Sequence, residues 1–410
     1  MALNKHNTIC LRKNILRQIV IVFIIALLST EIALPQQYES AEQISDTTET
    51  DISKSSSRET GNRWNSLMNW NFMALPFASY SPETNWQFGL TGVYFFKTNQ
   101  CPTYSDINFN FCYTLNKQWI FNINSRLYFN SKIRWYLDTD IHTQRYPDKF
   151  FGISNSGNNL LSKSAHYISN STYFEVRPSF HIINNFYIGA IFSFRYSYND
   201  FETNDYTYIT NRYDISGLEK EFYIKYGATF FYDTRDYSYY PTKGIFVKTA
   251  IMSYQPLLNA EDITGIIDID YRHFVPIYKD FLFAYHFRNQ WAIGKTPSFE
   301  FMPTIGGQDL LRGVRQNIFK GNCLYALDLE FRIPIWKFLK GTVFASIGDV
   351  INIGKETATI PKIGYGIGLR ANIHDARTNI RFDVARNAFA KTYQNYGNEW
   401  SFYFTIKEAF

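Results

Sequence analysis

The chain closes on Trp400-Ser-Phe-Tyr-Phe-Thr-Ile-Lys-Glu-Ala-Phe410. Large apolar groups stand at Trp400, Phe402, Phe404 and Ile406, polar or smaller groups lie between them, and the terminal residue is Phe410. A period of two puts one set of side chains on one face of a strand. In a bilayer such strands are stable only in a closed barrel, because lipid offers no partner to an unpaired backbone group. The segment therefore predicts the closing strand of an outer-membrane barrel.

Composition agrees with this reading. Mean hydropathy is -0.26, and after the N-terminus no apolar run approaches the roughly 20 residues that a spanning helix requires. Aromatic residues make up 19% of the 410, with 37 Phe and 31 Tyr. Barrel exteriors and interfacial girdles use such rings, whereas soluble cores rarely hold so many.

Residues 1–35 read as an export signal: Lys5, Arg12, Lys13 and Arg17, then the apolar stretch Ile19 to Leu28, then Ser29-Thr30-Glu31. The apolar core is too short to span, so cleavage is expected between Ala33 and Gln37. Much of the formal charge of +5 lies in this signal, leaving no basic footprint for nucleic acid. Residues 36–62 are rich in Ser, Thr, Glu and Gln and have almost nothing to bury, so they are expected to form a flexible periplasmic leader. Cys101, Cys112 and Cys323 remain, with no CxxC or HxxxH spacing, so neither a metal nor a cofactor is expected. Cys101 and Cys112 are open to pairing, with free thiols the simpler state.

From residue 63 to 410 the chain becomes a succession of about 16 alternating aromatic segments broken by Asn, Asp, Gly and Pro. The expectation is all-β: a transmembrane antiparallel barrel with a long loop folding into its lumen. The segments fall near 68–80, 86–97, 103–115, 117–128, 131–140, 171–180, 185–197, 221–233, 244–254, 263–275, 280–292, 322–335, 341–348, 363–372, 378–386 and 399–408. The even count rests on the first of these. Connectors after odd segments include the long stretches 141–170, 198–220, 293–321, 349–362 and 387–398, while those after even segments are generally short. Long loops on one side and tight turns on the other is the asymmetry of barrels in the outer membrane of Gram-negative bacteria. Within strands, Phe281, Phe283, Tyr285 and Phe287 alternate with Ala284, His286, Arg288 and Gln290. Tyr325, Leu327, Leu329 and Phe331 alternate with Ala326, Asp328, Glu330 and Arg332. A lipid-facing exterior and a polar lumen of both charge signs follow. A soluble sandwich produces the same alternation with the faces inverted; the signal, Phe410 and the connector asymmetry argue against it.

Several local patterns recur in order. They are Pro76-Phe-Ala-Ser-Tyr80-Ser-Pro82-Glu-Thr84, then Tyr232-Asp233-Thr-Arg235-Asp236 with Pro241 and Gly244, then Gly306-Gly307 with Leu311-Arg312-Gly313-Val314. Gly366-Ile-Gly-Leu-Arg370, Arg381-Phe-Asp383 and the C-terminal segment complete the series. Over about residues 70 to 410 the chain thus resembles the bacterial surface antigen family, relatives of the BamA and TamA outer-membrane assembly factors. The resemblance implies a loop arginine, Arg312 beside Gly313, held by acids on the two following strands. Glu330 fits the first acid. Ser346 stands where the second is expected, with Asp349 or Asp328 as substitutes. A buried guanidinium needs such carboxylate partners. The bland reading of Arg312 is a pin for a plug loop; that of Arg235, between two aspartates, is turn geometry.

The resemblance further implies a seam between the first segment and the last, carried by Trp400, Phe402, Phe404, Ile406 and Phe410. Its poor pairing would let an exposed strand edge template incoming strands. Partners would be outer-membrane lipids and unfolded outer-membrane protein clients. Only about 27 residues separate the signal from the barrel, so the chain resembles the branch without POTRA domains, and a separate periplasmic partner would replace them. The alternative is a structural or channel-forming barrel that passes solutes or anchors a partner. Catalysis is not expected: His142, His166, His273 and His286 sit in no nucleophile pattern.

Overall fold

The computed structural model describes residues 72–81, 85–98, 104–130, 134–153, 164–211, 213–237, 240–258, 262–294, 298–336, 338–353, 361–374, 378–388 and 400–405. The signal and leader expectations, together with Ile406, Phe410 and Cys101, lie outside these residues.

Sixteen strands form the wall. They are β1 (Phe72–Ser81), β2 (Asn85–Phe96), β3 (Ser105–Thr114), β4 (Trp119–Asn130), β5 (Arg134–Phe150), β6 (Ala165–Ile183), β7 (Phe186–Phe201) and β8 (Glu221–Asp233). The second half comprises β9 (Gly244–Pro256), β10 (Thr264–Tyr278), β11 (Phe281–Ile293), β12 (Cys323–Trp336), β13 (Leu339–Ile351), β14 (Lys362–His374), β15 (Thr378–Asn387) and β16 (Trp400–Thr405). Each strand pairs with its sequence neighbours, antiparallel, and β1 meets β16 to close the barrel. Closure removes the free edges that lipid would not tolerate. Among the described residues one helix, α1 (Thr203–Thr210), lies in the connector between β7 and β8.

Two-residue turns join β6 to β7 at Asn184-Asn185 and β10 to β11 at Lys279-Asp280. Asn184 and Lys279 take positive φ of 51° and 49° there, the left-handed backbone that tight hairpins use. At the opposite end the connectors 202–220 and 294–322 are long. These two ends are called the turn end and the loop end below.

The sequence places β5 and β6 too short. Alternating apolar residues stop at Ile141 on β5, above which come His142, Thr143, Gln144 and Arg145, so 141–170 reads as a loop. In the structure β5 and β6 pair continuously from Trp135–Phe180 to Phe150–Ala165. Backbone pairing needs no apolar face once a neighbouring strand is in register, and the two strands outrun the apolar band. The connector read as 198–220 likewise begins later and contains α1.

Facing follows the alternation. On β11, Leu282, Ala284 and His286 are buried while Phe287 is exposed. On β12, Asp328, Glu330 and Arg332 are buried within the barrel. Phe88, Phe111, Phe192, Phe230, Ile251, Val343 and Ile367 lie exposed on the outside. On a soluble protein this would be a very large apolar patch; on a barrel it is the lipid-facing band. Inside, Arg288 meets Asp268 at 3.1 Å and Arg272 meets Asp270 at 2.5 Å. Cys112 and Cys323 are buried free thiols.

Candidate functional site

The connector between β11 and β12 enters the lumen. Ile305, Leu310, Leu311, Val314, Ile318 and Phe319 of the loop pack on Phe151, Leu324, Ala326 and Val350 at the loop end of the wall. Burying such side chains fully contributes roughly 1.5–3 kcal/mol each, enough to hold a long segment off the surface. Polar contacts fix it across the barrel. Asn199 and Ser197 of β7 donate to the Glu300 carboxylate at 2.6 Å each, and Asn317 donates to Asp148 of β5 at 2.9 Å. Phe299 packs with Phe150, Ala165 and Tyr167 beneath α1.

The loop tip is the turn Leu311-Arg312-Gly313-Val314, closed by the Val314 amide donating to the Leu311 carbonyl at 3.2 Å. Gly313, the third residue, has φ 92°, as the third position of a type II turn requires. Leu311 takes φ 56°, a strained backbone for a branched side chain, costing on the order of 1–3 kcal/mol. Its full burial and the bond from its amide to Asp328 Oδ1, 3.1 Å, hold it there.

Arg312 is enclosed. Its Nη2 donates to Glu330 Oε2 at 2.9 Å and its Nη1 to Asp383 Oδ2 at 2.6 Å, and its Cζ lies 3.5 Å from the centre of the Phe344 ring. Both carboxylates are shared. Arg370 reaches Glu330 at 2.9 Å and Asp383 at 2.5 Å; Arg332 reaches Glu330 at 2.8 Å; Arg381 lies 3.5 Å from Asp383. All six side chains are at most 1% exposed. Charges this deep are stable only as a mutually paired network.

The second acid is therefore Asp383 on β15, and among the described residues the carboxylate partners of Arg312 are Glu330 and Asp383, not Asp349. Ser346 sits opposite Asp328 across the β12–β13 ladder, and its buried hydroxyl has no hydrogen-bond partner among the described residues. Asp349 lies nearer the loop end and holds Lys362 Nζ at 2.5 Å, beneath the Phe319 ring. Asp328 serves the loop through the Leu311 amide rather than through Arg312. Sequence reading does not place Arg370, Arg381, Asp383, Asn387 or Tyr403 at the loop tip. Arg370, Arg381 and Asp383 are visible in the motifs but 58 to 71 residues from the loop arginine, so only the barrel's curvature brings them together. Two buried arginines at matching inward positions of β14 and β15 are the signal that an acid must stand between them.

Small residues make room for the tip. A Cβ on Gly364 would lie 2.1 Å from the Arg312 carbonyl oxygen, so β14 needs glycine where the turn lies against it. Asn387 Nδ2 donates to the Gly313 carbonyl at 3.2 Å, and the Gly313 amide donates to the Tyr403 hydroxyl oxygen at 3.4 Å. The tip is thus joined to β12, β15 and β16.

Of the expected seam residues, Trp400, Phe402 and Phe404 lie on β16. Across the seam, β1 and β16 share one register pair among the described residues, Tyr80 opposite Phe402. The neighbouring ladders are longer, from Phe72–Tyr94 to Ser81–Asn85 between β1 and β2 and from Arg381–Thr405 to Arg386–Trp400 between β15 and β16. Phe77 and Phe404 stack across the gap with ring centroids 6.2 Å apart.

This arrangement can be set beside known proteins. Residues 85–410 match the model of the Omp85 superfamily domain. Comparison with curated protein sequences finds no match. Among solved structures, BamA from Haemophilus ducreyi lacking POTRA domains 1–3 is similar at 13% identity and a TM-score of 0.52, over 83% of this chain and 70% of that one. CdiB from Acinetobacter baumannii is similar at 12% identity and a TM-score of 0.53, over 82% of this chain and 59% of that one. At these identities the structures speak for the fold, while the family match covers nearly every strand of the wall. The chain is an integral outer-membrane β-barrel and belongs to the Omp85 superfamily.

Proposed function

We propose that this barrel inserts or exports outer-membrane and surface proteins, working through the seam between β1 and β16. The observation that carries this reading is the single register pair that the described residues show at the seam, flanked by ladders of six pairs or more. An antiparallel ladder is held by cross-strand backbone bonds and side-chain pairs. A junction with one pair separates at far lower cost than its neighbours and presents a strand edge. Such an edge can add a strand from a client by backbone hydrogen bonding, which needs neither nucleotide nor covalent chemistry. The loop crossing the lumen supports the same reading over a solute pore, because it fills the loop end of the barrel with packed side chains.

Depletion of the protein followed by quantitative comparison of the outer-membrane proteome tests this. Loss of particular barrels or surface lipoproteins is the expected result. An unchanged proteome with a fall only in solute flux would instead establish the alternative of a channel-forming barrel.

A further inference from the structure

We propose that Tyr403 is a positioning residue that latches the closing strand from inside, so that the seam and the lumen loop form one two-state element. The proposal rests on the reading of the seam as the working site. Across the seam, the described residues give β16 one register pair with β1, Tyr80–Phe402, and the stacked rings of Phe77 and Phe404. On the inside, Tyr403 is 7% exposed and packs with Phe344 and Ala385. Phe344 is the ring that carries Arg312. The Tyr403 hydroxyl accepts the Gly313 amide at 3.4 Å, and the other side of the Gly313 residue is held by Asn387 of β15 at 3.2 Å.

Gly313 is thereby clasped between the last two strands while its neighbour Arg312 is bound to Glu330 on β12. The loop acts as a strut from β12 to β16. An outward swing of β16 must break the Tyr403 contact, and release of the tip must remove a restraint from β16. Two sites that bias one two-state element are coupled by necessity. A client strand that draws β16 outward would therefore loosen the loop tip, and a displaced tip would ease the opening of the seam.

Disulfide trapping reads this directly. Positions 80 and 402 are register partners, so with the native cysteines replaced by alanine, oxidation of a Tyr80→Cys, Phe402→Cys double variant reports closure of the seam in the full-length protein in membranes. Tyr403→Phe keeps the ring and removes the acceptor. Cross-linking about fivefold slower is expected, the weight of one neutral hydrogen bond, while heat-dependent gel mobility shows the barrel folded. Tyr365→Phe, on an exposed ring of β14, should keep the parental rate. A parental rate in Tyr403→Phe overturns the proposal. Should that variant not fold, Asn387→Ala frees the other side of Gly313 and is read in the same way, the same slowing expected and a parental rate overturning the latch. The outcomes for latch and function separate. A loosened seam with unchanged client assembly leaves the latch standing and defeats the insertase reading; impaired assembly with an unchanged seam does the reverse.

Discussion

Arg312 and Asp383 meet at 2.6 Å although 71 residues separate them, and the Asp383 carboxylate is also held by Arg370 at 2.5 Å. The network is asymmetric: Arg312, Arg332, Arg370 and Arg381 gather on two buried acids, Glu330 and Asp383, with the exposed Asp309 3.8 Å from Arg381. The acids are the scarce partners.

Loss of an acid should accordingly cost more than loss of the loop arginine. Asp383→Asn leaves three guanidinium groups around a neutral amide, and a destabilisation of about 3–5 kcal/mol is expected from uncompensated buried charge. Arg312→Gln leaves Glu330 with Arg332 and Arg370, and Asp383 with Arg370 and Arg381, so the barrel should lose clearly less. Urea unfolding of the protein refolded into lipid vesicles gives the comparison. Equal midpoints for the two variants would contradict the asymmetry.

At Gly364 the decisive quantity is space. Gly364→Ala puts a Cβ 2.1 Å from the Arg312 carbonyl, a contact with backbone that no rotamer relieves, so the tip must lift from β14. Limited proteolysis should then cut within 294–322 while the strands stay protected. A loop as resistant as the parent's would show that the tip does not need this close approach.

Lys320 gives a pH prediction. Its ammonium is buried, donating to the Phe299 carbonyl at 3.3 Å. Burial pushes its pKa below the ordinary lysine range, with Asp148 and Glu300 opposing the shift. The unfolded chain then holds the proton more tightly than the folded one, so this residue's penalty is fully present below its folded pKa. It is relieved as pH rises toward the ordinary lysine value. Lys320→Met should flatten the alkaline rise in unfolding midpoint; an unaltered pH profile would remove Lys320 as its source.

Conductance tests the loop as an obstruction. Reconstituted in planar bilayers, the parent should show little steady current, and removal of residues 298–321 should raise it severalfold, provided that gel mobility shows a folded barrel. A large, stable current in the parent would argue that solutes pass the loop.

Much of the wall is legible in the chain because a strand's facing is a local property. Phe281 to Arg288 and Tyr325 to Arg332 declare inside and outside by parity alone, and the structure keeps that parity. The ends of β5 and β6 are not legible, since above Ile141 neither face is apolar and only pairing between the two strands extends them. Glu330 is legible as an arginine partner through its motif. Asp383 is not, because nothing local to β15 states which strand it lies near around the barrel.

Alternation in Trp400 to Phe410, the aromatic content and the connector asymmetry determine by themselves a lipid-facing barrel, since each depends on side-chain order along one strand or on chain length between strands. The closure of β1 on β16, the seat of Arg312 between Glu330 and Asp383, and the hold of Tyr403 on Gly313 depend on curvature summed over sixteen strands. Only the closed tertiary structure sets those distances, because each strand's tilt and register move every later strand around the wall.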